Sequence, residues 1–223
     1  MKRTFVLAAV AALAFAAGSA VPANASDQTD LLRRATRTAE HMKRDPSFEA
    51  ARQMLHNARA VVIVRSLVKG GFIFGAEGGN GVLVARTGRG WSSPAFYTLG
   101  SASFGLQIGL EQAEIVLLIM SDRALRAVER SQFKFGAGAG LTVVTLSAGA
   151  EGATAPNLSG DIVVWTSATG AYGGLTLNGS VIKSRDEWNE DFYGRAVGVP
   201  QIVSGRARNP EANPLRDELA SLW

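Results

Sequence analysis

The sequence predicts an α+β domain: a β-rich antiparallel sandwich or barrel-like body with one or two N-terminal helices and a short C-terminal helix. Three observations carry this. Residues 27–58 place apolar side chains at helical spacing. From Ala60 to about Lys183 the period shortens to β-rich runs broken by Gly-rich turns. After Gly205 a polar stretch ends in Leu215, Leu219 and Leu222, again at helical spacing. Short strands at close spacing with tight turns favour a sandwich or closed barrel over alternating βαβ units.

Residues 1–25 read as a cleavable export signal. Lys2 and Arg3 give a positive start, Phe5 to Ala17 is uncharged and apolar, and Ala23-Asn24-Ala25 is a small-x-small cleavage site before polar Ser26 and Asp27. The mature protein is expected to begin at Ser26, in the periplasm or outside the cell. Lys2-Arg3-Thr4-Phe5-Val6 falls one residue short of a twin-arginine pattern, which leaves both export routes open. The expected organisation is a signal over 1–25, a helical segment over 26–57, a β-rich domain over 58–204 and a tail over 205–223.

Helix is expected over 27–45, with Leu31, Leu32, Ala35, Ala39 and Met42 on one side and Arg33, Arg34, Arg37, Lys43 and Arg44 around the rest. Asp45-Pro46 ends it, and Ser47 is placed to cap a second helix carrying Phe48, Ala51, Leu55 and Ala58. Strands are expected near 60–65, 71–77, 81–86, 95–99, 103–110, 114–120, 133–147, 161–166, 171–177 and 180–183. Turns fall at Gly78-Gly79-Asn80-Gly81, Thr87-Gly88-Arg89-Gly90 and Asn178-Gly179. Ser121-Asp122 suits a short helix through Arg130. Runs such as Ile115 to Met120 and Ile162 to Trp165 are apolar on both faces, as in central strands covered on both sides. Asn213-Pro214 starts the last helix, either a packing tail or a mobile end.

Charge and composition exclude several functions. Removing the signal removes two basic residues and no acidic ones, so formal charge falls from +4 to +2. A nucleic-acid protein would need a concentrated basic face. With no Cys, thiol catalysis, disulfides and thiolate metal sites are out. His41 and His56 lie in the helical segment with no second ligand at metal spacing, so no metal or cofactor is expected. Ser66-Leu67-Val68-Lys69 fits a Ser-x-x-Lys pattern, but so do Ser131 to Lys134 and Ser180 to Lys183, and no Lys-Thr-Gly completes it. The glycine runs lack the order of a phosphate or dinucleotide loop. Glu77, Glu111, Glu114, Glu151 and Asp161 read as surface or strand-edge charge.

Two features suit a lipid surface. One is the 27–45 helix, where Arg33, Arg34 and Arg37 flank a stripe containing Leu31, Leu32 and Met42. Such a helix can lie on an anionic bilayer, or pack its stripe on the protein's own sheet. The other is the basic set Arg65, Lys69, Arg86 and Arg89, near Phe72, Phe74 and Trp91 in sequence.

Ordered phrases between Ala58 and Gly194 resemble the SYLF lipid-binding domain family. They are Asn57 to Val64, Val68-Lys69-Gly70-Gly71-Phe72-Ile73-Phe74-Gly75-Ala76-Glu77-Gly78-Gly79-Asn80-Gly81-Val82-Leu83, and Trp91-Ser92-Ser93-Pro94-Ala95-Phe96-Tyr97. Gly105-Leu106-Gln107-Ile108-Gly109, Gly170-Ala171-Tyr172-Gly173-Gly174-Leu175 and Gly179-Ser180 complete the set. Ala60 stands where the family's usual Gly would be, and Asn178 where an acidic residue is common. The resemblance implies a non-enzymatic lipid-binding domain. Eukaryotic members are associated with phosphoinositide membranes and actin, partners an exported bacterial protein would not meet. The expectation is therefore an envelope protein that binds phospholipid or a membrane surface without nucleic acid or cofactor. The alternatives are a protein-interaction module of the envelope and a hydrolase with a dispersed site.

Overall fold

A computed structural model describes residues 27–65, 68–70, 74–104, 114–130, 132–135, 141–147, 160–166 and 180–222. Helix α1 (Asp27–Arg44) forms because its charges suit its ends: Asp27 and Asp30 lie in the first turn, and His41, Lys43 and Arg44 in the last. Its apolar stripe is buried. A 3-10 turn over Pro46–Phe48 leads into α2 (Glu49–Leu55). The N-cap position is Phe48, with no side-chain cap of its own; the side chain of Ser47, expected as the cap, lies outside the described residues. The family of strands follows: β1 (Ala60–Arg65), β2 (Val68–Gly70), β3 (Phe74–Thr87), β4 (Gly90–Trp91), β5 (Ala95–Phe104) and β6 (Glu114–Ile119). Then come α3 (Asp122–Val128), β7 (Gln132–Lys134), β8 (Val143–Ser147), β9 (Ile162–Thr166) and β10 (Val181–Ser184). Helices α4 (Asp186–Tyr193), α5 (Val199–Val203) and α6 (Asn213–Ala220) close the chain.

The α+β class and barrel-like body are present as one curled half-barrel sheet. Its strand order is β7-β10-β5-β3-β1-β6-β9-β8, with β2 and β4 paired to β3. The pairings are antiparallel except β8 with β9, which is parallel, so the sheet is mixed. Of the two architectures expected, the sheet follows the barrel-like one.

Apolar strands on both faces have a direct explanation. Ala60, Val62, Val64, Leu117 and Val164 enter a core with α3 and α5; Val61, Ile63, Val116, Leu118 and Val163 enter a second core under α1, α2 and α6. Alternate residues feed opposite faces, as strand geometry requires, and both faces are dry. Leu215, Leu219 and Leu222 of the C-terminal segment lie in the α1 core, so that segment is a packing element. Phe48 stacks on Trp165 with centroids 3.5 Å apart.

Three expected turns meet different fates. Thr87 to Gly90 is a turn, between β3 and β4. Gly78-Gly79-Asn80-Gly81 is not: β3 runs straight through it, pairing Gly81 with Val64 and Tyr97. A Cβ on Gly81 would lie 2.7 Å from Val64 Cγ2 and 2.8 Å from the Ile63 carbonyl oxygen. That glycine serves close approach of β1 to β3. Asn178-Gly179 and the expected strand at 171–177 lie outside the described residues. The two runs expected at 95–99 and 103–110 join in β5, whose described part ends at Phe104. The 133–147 run divides into β7 and β8.

Helix α3 starts as expected. Ser121 Oγ accepts the Ala124 N–H at 3.1 Å and donates to Asp161 Oδ1 at 2.5 Å. Asp161 also accepts from Arg123 at 2.7 Å and from the Thr142 N–H at 3.0 Å. Led by the Ser121 bond, these hold its carboxyl below the usual Asp range. Asp161 therefore ties the start of α3 to the entries of β8 and β9. On the same side of the sheet, buried Tyr97 donates to the Val128 carbonyl at 2.8 Å, and burial pushes its phenol up, so it stays a neutral donor.

Helices α4 and α5 were not expected from the sequence. Helix α4 ends at Gly194 in the left-handed conformation, φ 63°, which glycine adopts without strain.

Candidate functional site

The outer side of α1 is the first part of the site. Arg33, Arg34, Arg37 and Arg44 are exposed there. Asp30 pairs with Arg33 at 3.0 Å and receives a second bond from Arg34 Nε at 2.6 Å. Arg37 and Arg44 have no side-chain partner among the described residues. The helix carries five basic and three acidic residues. Its other side is fully committed: Leu31 is 6% exposed, Leu32 4% and Met42 0%. Leu32 and Met42 are corrected from lipid contacts to core residues, because the sheet and α6 already cover them, while Leu31 joins the same core and borders the cleft described below.

The basic set of strand-end residues divides in the same way. Arg86 reaches inward: its Nε donates to the Ala58 carbonyl at 2.8 Å and its Nη2 to the Leu55 carbonyl at 2.6 Å. Its guanidinium lies 4.5 Å from the centroid of the buried Trp91 ring. Burial lowers its pKa. Arg86 is thus a clamp on the C-terminal end of α2, corrected from a lipid contact. Arg89 is exposed in the β3–β4 turn. Arg65 ends β1 opposite Glu114, and Lys69 lies in β2 opposite Glu77; their side chains lie outside the described residues. Lys69 and Arg86 are set off by nine positions along β3, roughly 30 Å at ~3.3 Å per residue. The four do not form one patch. Arg65 instead shares its end of the sheet with α1, because Thr38 Oγ1 and His41 Nδ1 both bond Glu114, at 3.0 and 3.1 Å.

The second part is a cleft of about 490 Å³ beside the first turns of α1. Its floor is Gly78, Gly79 and Asn80 of β3 with Thr98 of β5. Its walls are Asp27, Asp30 and Arg34 on one side and Arg185 and Trp188 on the other. Asn80 Oδ1 accepts from Thr98 Oγ1 at 3.0 Å and from Arg185 Nη1 at 3.2 Å. The Arg185 guanidinium lies 3.7 Å from the Trp188 ring centroid, a cation–π stack that fixes its plane. The start of α4 is anchored by the Arg185 N–H on the Phe96 carbonyl and the Phe96 N–H on buried Asn189, both 2.8 Å. Sequence reasoning missed this cluster. The Gly194 stop after Tyr193 was the signal that could have revealed α4, and with it Arg185 and Trp188.

Among the described residues considered for chemistry, His41 and Glu114 meet, at 3.1 Å. His41 and His56 are exposed on α1 and at the end of α2. Ser180 Oγ is buried without a hydrogen-bond partner among the described residues, so no base reaches it there. Ser66 and Ser131 lie outside the described residues, as do Glu111 and Glu151. No group of acidic or histidine residues among the described ones is arranged to hold a metal ion. No described helix is long and apolar enough to cross a membrane.

These features define an α+β domain built on one curled mixed sheet, helices on both faces and a charged cleft beside a basic helix. A family model described as "Ysc84: Las17-binding protein actin regulator" matches residues 100–222. The chain belongs to this family, the Ysc84/SYLF family. It is similar to Protein YSC84 of Saccharomyces cerevisiae, 30% identical over 167 residues, covering 73% of this chain and 36% of that protein. It is also similar to SH3 domain-containing YSC84-like protein 1 of Xenopus laevis, 32% identical over 169 residues, with 71% and 48% covered. The human protein of that name is 29% identical over 159 residues, with 70% and 46% covered. The chain spans between about a third and a half of the length of these relatives.

Proposed function

We propose that the protein is an exported, non-enzymatic domain of the bacterial envelope that binds phospholipid at a membrane surface, by charge and without inserting α1. The observation that carries this is the division of α1: the apolar stripe is in the core, and Arg33, Arg37 and Arg44 form an exposed ridge opposite it. Each basic residue near an anionic bilayer contributes ~1 kcal/mol. The ridge therefore supplies at most about 3 kcal/mol, less the share that Asp30 offsets at Arg33, a modest and salt-sensitive attraction. By backbone register Arg65 and Lys69 lie toward the same end of the sheet. Export is supported by the first 25 residues of the sequence, which lie outside the described ones.

Co-sedimentation tests the reading. The protein is expected to pellet at low salt with phosphatidylcholine/phosphatidylglycerol vesicles and weakly with phosphatidylcholine alone. Reversing Arg33, Arg37 and Arg44 to Glu should weaken binding at least ten-fold. No binding to either vesicle at low salt would sink the reading, and unchanged binding of the triple variant would move the contact off α1.

The family description favours a second reading, a protein-interaction module, since it names a Las17-binding actin regulator. Recovery of one protein partner from envelope extract without lipid would support that alternative.

A further inference from the structure

We propose that the groove between the first turns of α1 and the start of α4 binds the zwitterionic phosphate–ammonium headgroup of a phospholipid, a primary-amine headgroup in particular. This rests on the lipid-binding reading and names the headgroup. The cleft described above adjoins a second hollow of about 520 Å³, and the two share Thr98 and Arg185. Arg185 thus stands in the middle of one groove.

Space is the first argument. The floor carries glycine where the fold does not ask for it. A Cβ on Gly100 would meet nothing within 4 Å, and one on Gly78 only the Leu99 carbonyl oxygen at 3.7 Å. Neither has the positive φ that would require glycine. Glycine weakens a strand interior and marks places where a ligand approaches the backbone. Here it leaves open volume over the sheet.

Charge is the second. The Arg185 side chain is half-buried and pinned on two sides, by Trp188 and by Asn80. Its remaining guanidinium N–H groups have no partner among the described residues. They are preorganised donors for a phosphate. Asn80 spends its Oδ1 on Thr98 and Arg185, which leaves its amide N–H groups as further donors. Exposed Lys183 borders the second hollow. Around these cations stand carboxylates: Asp27 and Asp30 on α1, and Asp186 and Glu187 on α4. Asp27 and Glu187 have no side-chain partner among the described residues.

The mixture selects the ligand. A multiply phosphorylated headgroup would bring its extra charge against these carboxylates. A single phosphate joined to an ammonium places opposite charges on opposite partners. A trimethylammonium has no N–H to donate, and the Trp188 face that could receive it is occupied by Arg185. A primary ammonium keeps its donors and fits the carboxylates.

The test is a titration of the purified protein, followed by backbone amide NMR. The probes are glycerophosphoethanolamine, glycerophosphocholine and inorganic phosphate. Saturable shifts at Thr98, Gly100 and Arg185 are expected with the first, and at least ten-fold weaker binding with the other two. Gly100→Leu fills the groove without removing a charge and should weaken binding at least ten-fold at unchanged thermal midpoint. Arg185→Gln should weaken it comparably. Equal affinity for all three probes, or wild-type binding by Gly100→Leu, overturns the assignment. Loss of headgroup binding with anionic-vesicle sedimentation intact rejects this groove alone. Headgroup binding with no sedimentation on any vesicle, including phosphatidylethanolamine-containing ones, overturns the lipid as its source.

Discussion

Replacing Arg86 by Ala separates a structural role from a lipid-binding one. The side chain donates to the carbonyls of Leu55 and Ala58, where α2 ends and the chain turns into β1. Hydrogen bonds from charged donors contribute ~1.5–3 kcal/mol each. The stack on Trp91 adds ~0.5–1 kcal/mol. Water can reach the carbonyls once the guanidinium is gone, so the lower end applies and the loss should total about 3–4 kcal/mol. With a urea slope of ~2 kcal/mol/M, the unfolding midpoint falls by about 1.5–2 M. Arg86→Lys keeps the charge but cannot bridge both carbonyls, and should recover less than half of the loss. Vesicle sedimentation of folded Arg86→Ala should match wild type. A midpoint shift below ~0.3 M together with lost sedimentation would refute the clamp and restore Arg86 as a lipid contact.

Gly81→Ala places a Cβ within 3 Å of the Ile63 carbonyl and should destabilise by ~1–3 kcal/mol in a urea melt, since backbone must move. Asp161→Asn should lower the urea midpoint at pH 7. Because the folded carboxyl titrates below the ordinary Asp value, its stabilisation is full above ~pH 4 and lost as pH falls through the folded pKa. The gap between wild type and Asp161→Asn should therefore close on acidification below ~pH 4, and a constant gap would point to geometry alone. N-terminal sequencing of the exported protein should begin at Ser26; a start at Met1 would refute cleavage.

Much of the fold is legible because its signals are local. The stripe of α1 repeats at helical spacing. Residues 60–64 of β1, 115–119 of β6 and 162–165 of β9 are apolar without a break because both faces are covered. Ser121 caps α3 through an atom three residues on. What failed depends on partners distant in sequence. Gly78 to Gly81 looks like a turn, yet Gly81 is set by contact with Val64 and Ile63 on β1. Arg86 looks like a solvated strand end, yet carbonyls some 28 to 31 residues earlier hold it. The groove joins residues of β3, β5, α1 and α4, and no spacing pattern links Asn80 to Arg185. The basic character of α1 was readable; that its stripe packs inward was one of two readings open, and the sheet decides it.

That decision sets how the protein can meet a bilayer. Burial of Leu31, Leu32 and Met42 contributes ~1.5–3 kcal/mol each, so undocking α1 costs about 5–9 kcal/mol, comparable to the whole stability of an ordinary domain. A bilayer could take up the stripe and return that part. It could not also cover what the stripe leaves behind, since Val61, Ile63 and Val82 would face water along with the α6 leucines. Insertion exposes two surfaces and satisfies one, whereas docking by the outer arginines exposes none. The two modes differ in salt response. At ~1 M salt the screening length falls to ~3 Å, which removes attraction between exposed charges and leaves apolar burial intact. Vesicle-bound protein should therefore dissociate on transfer to 1 M NaCl, with more than ~90% in the supernatant of a sedimentation assay. Retention of most of the protein on the vesicles at that salt would show that α1 leaves the sheet after all.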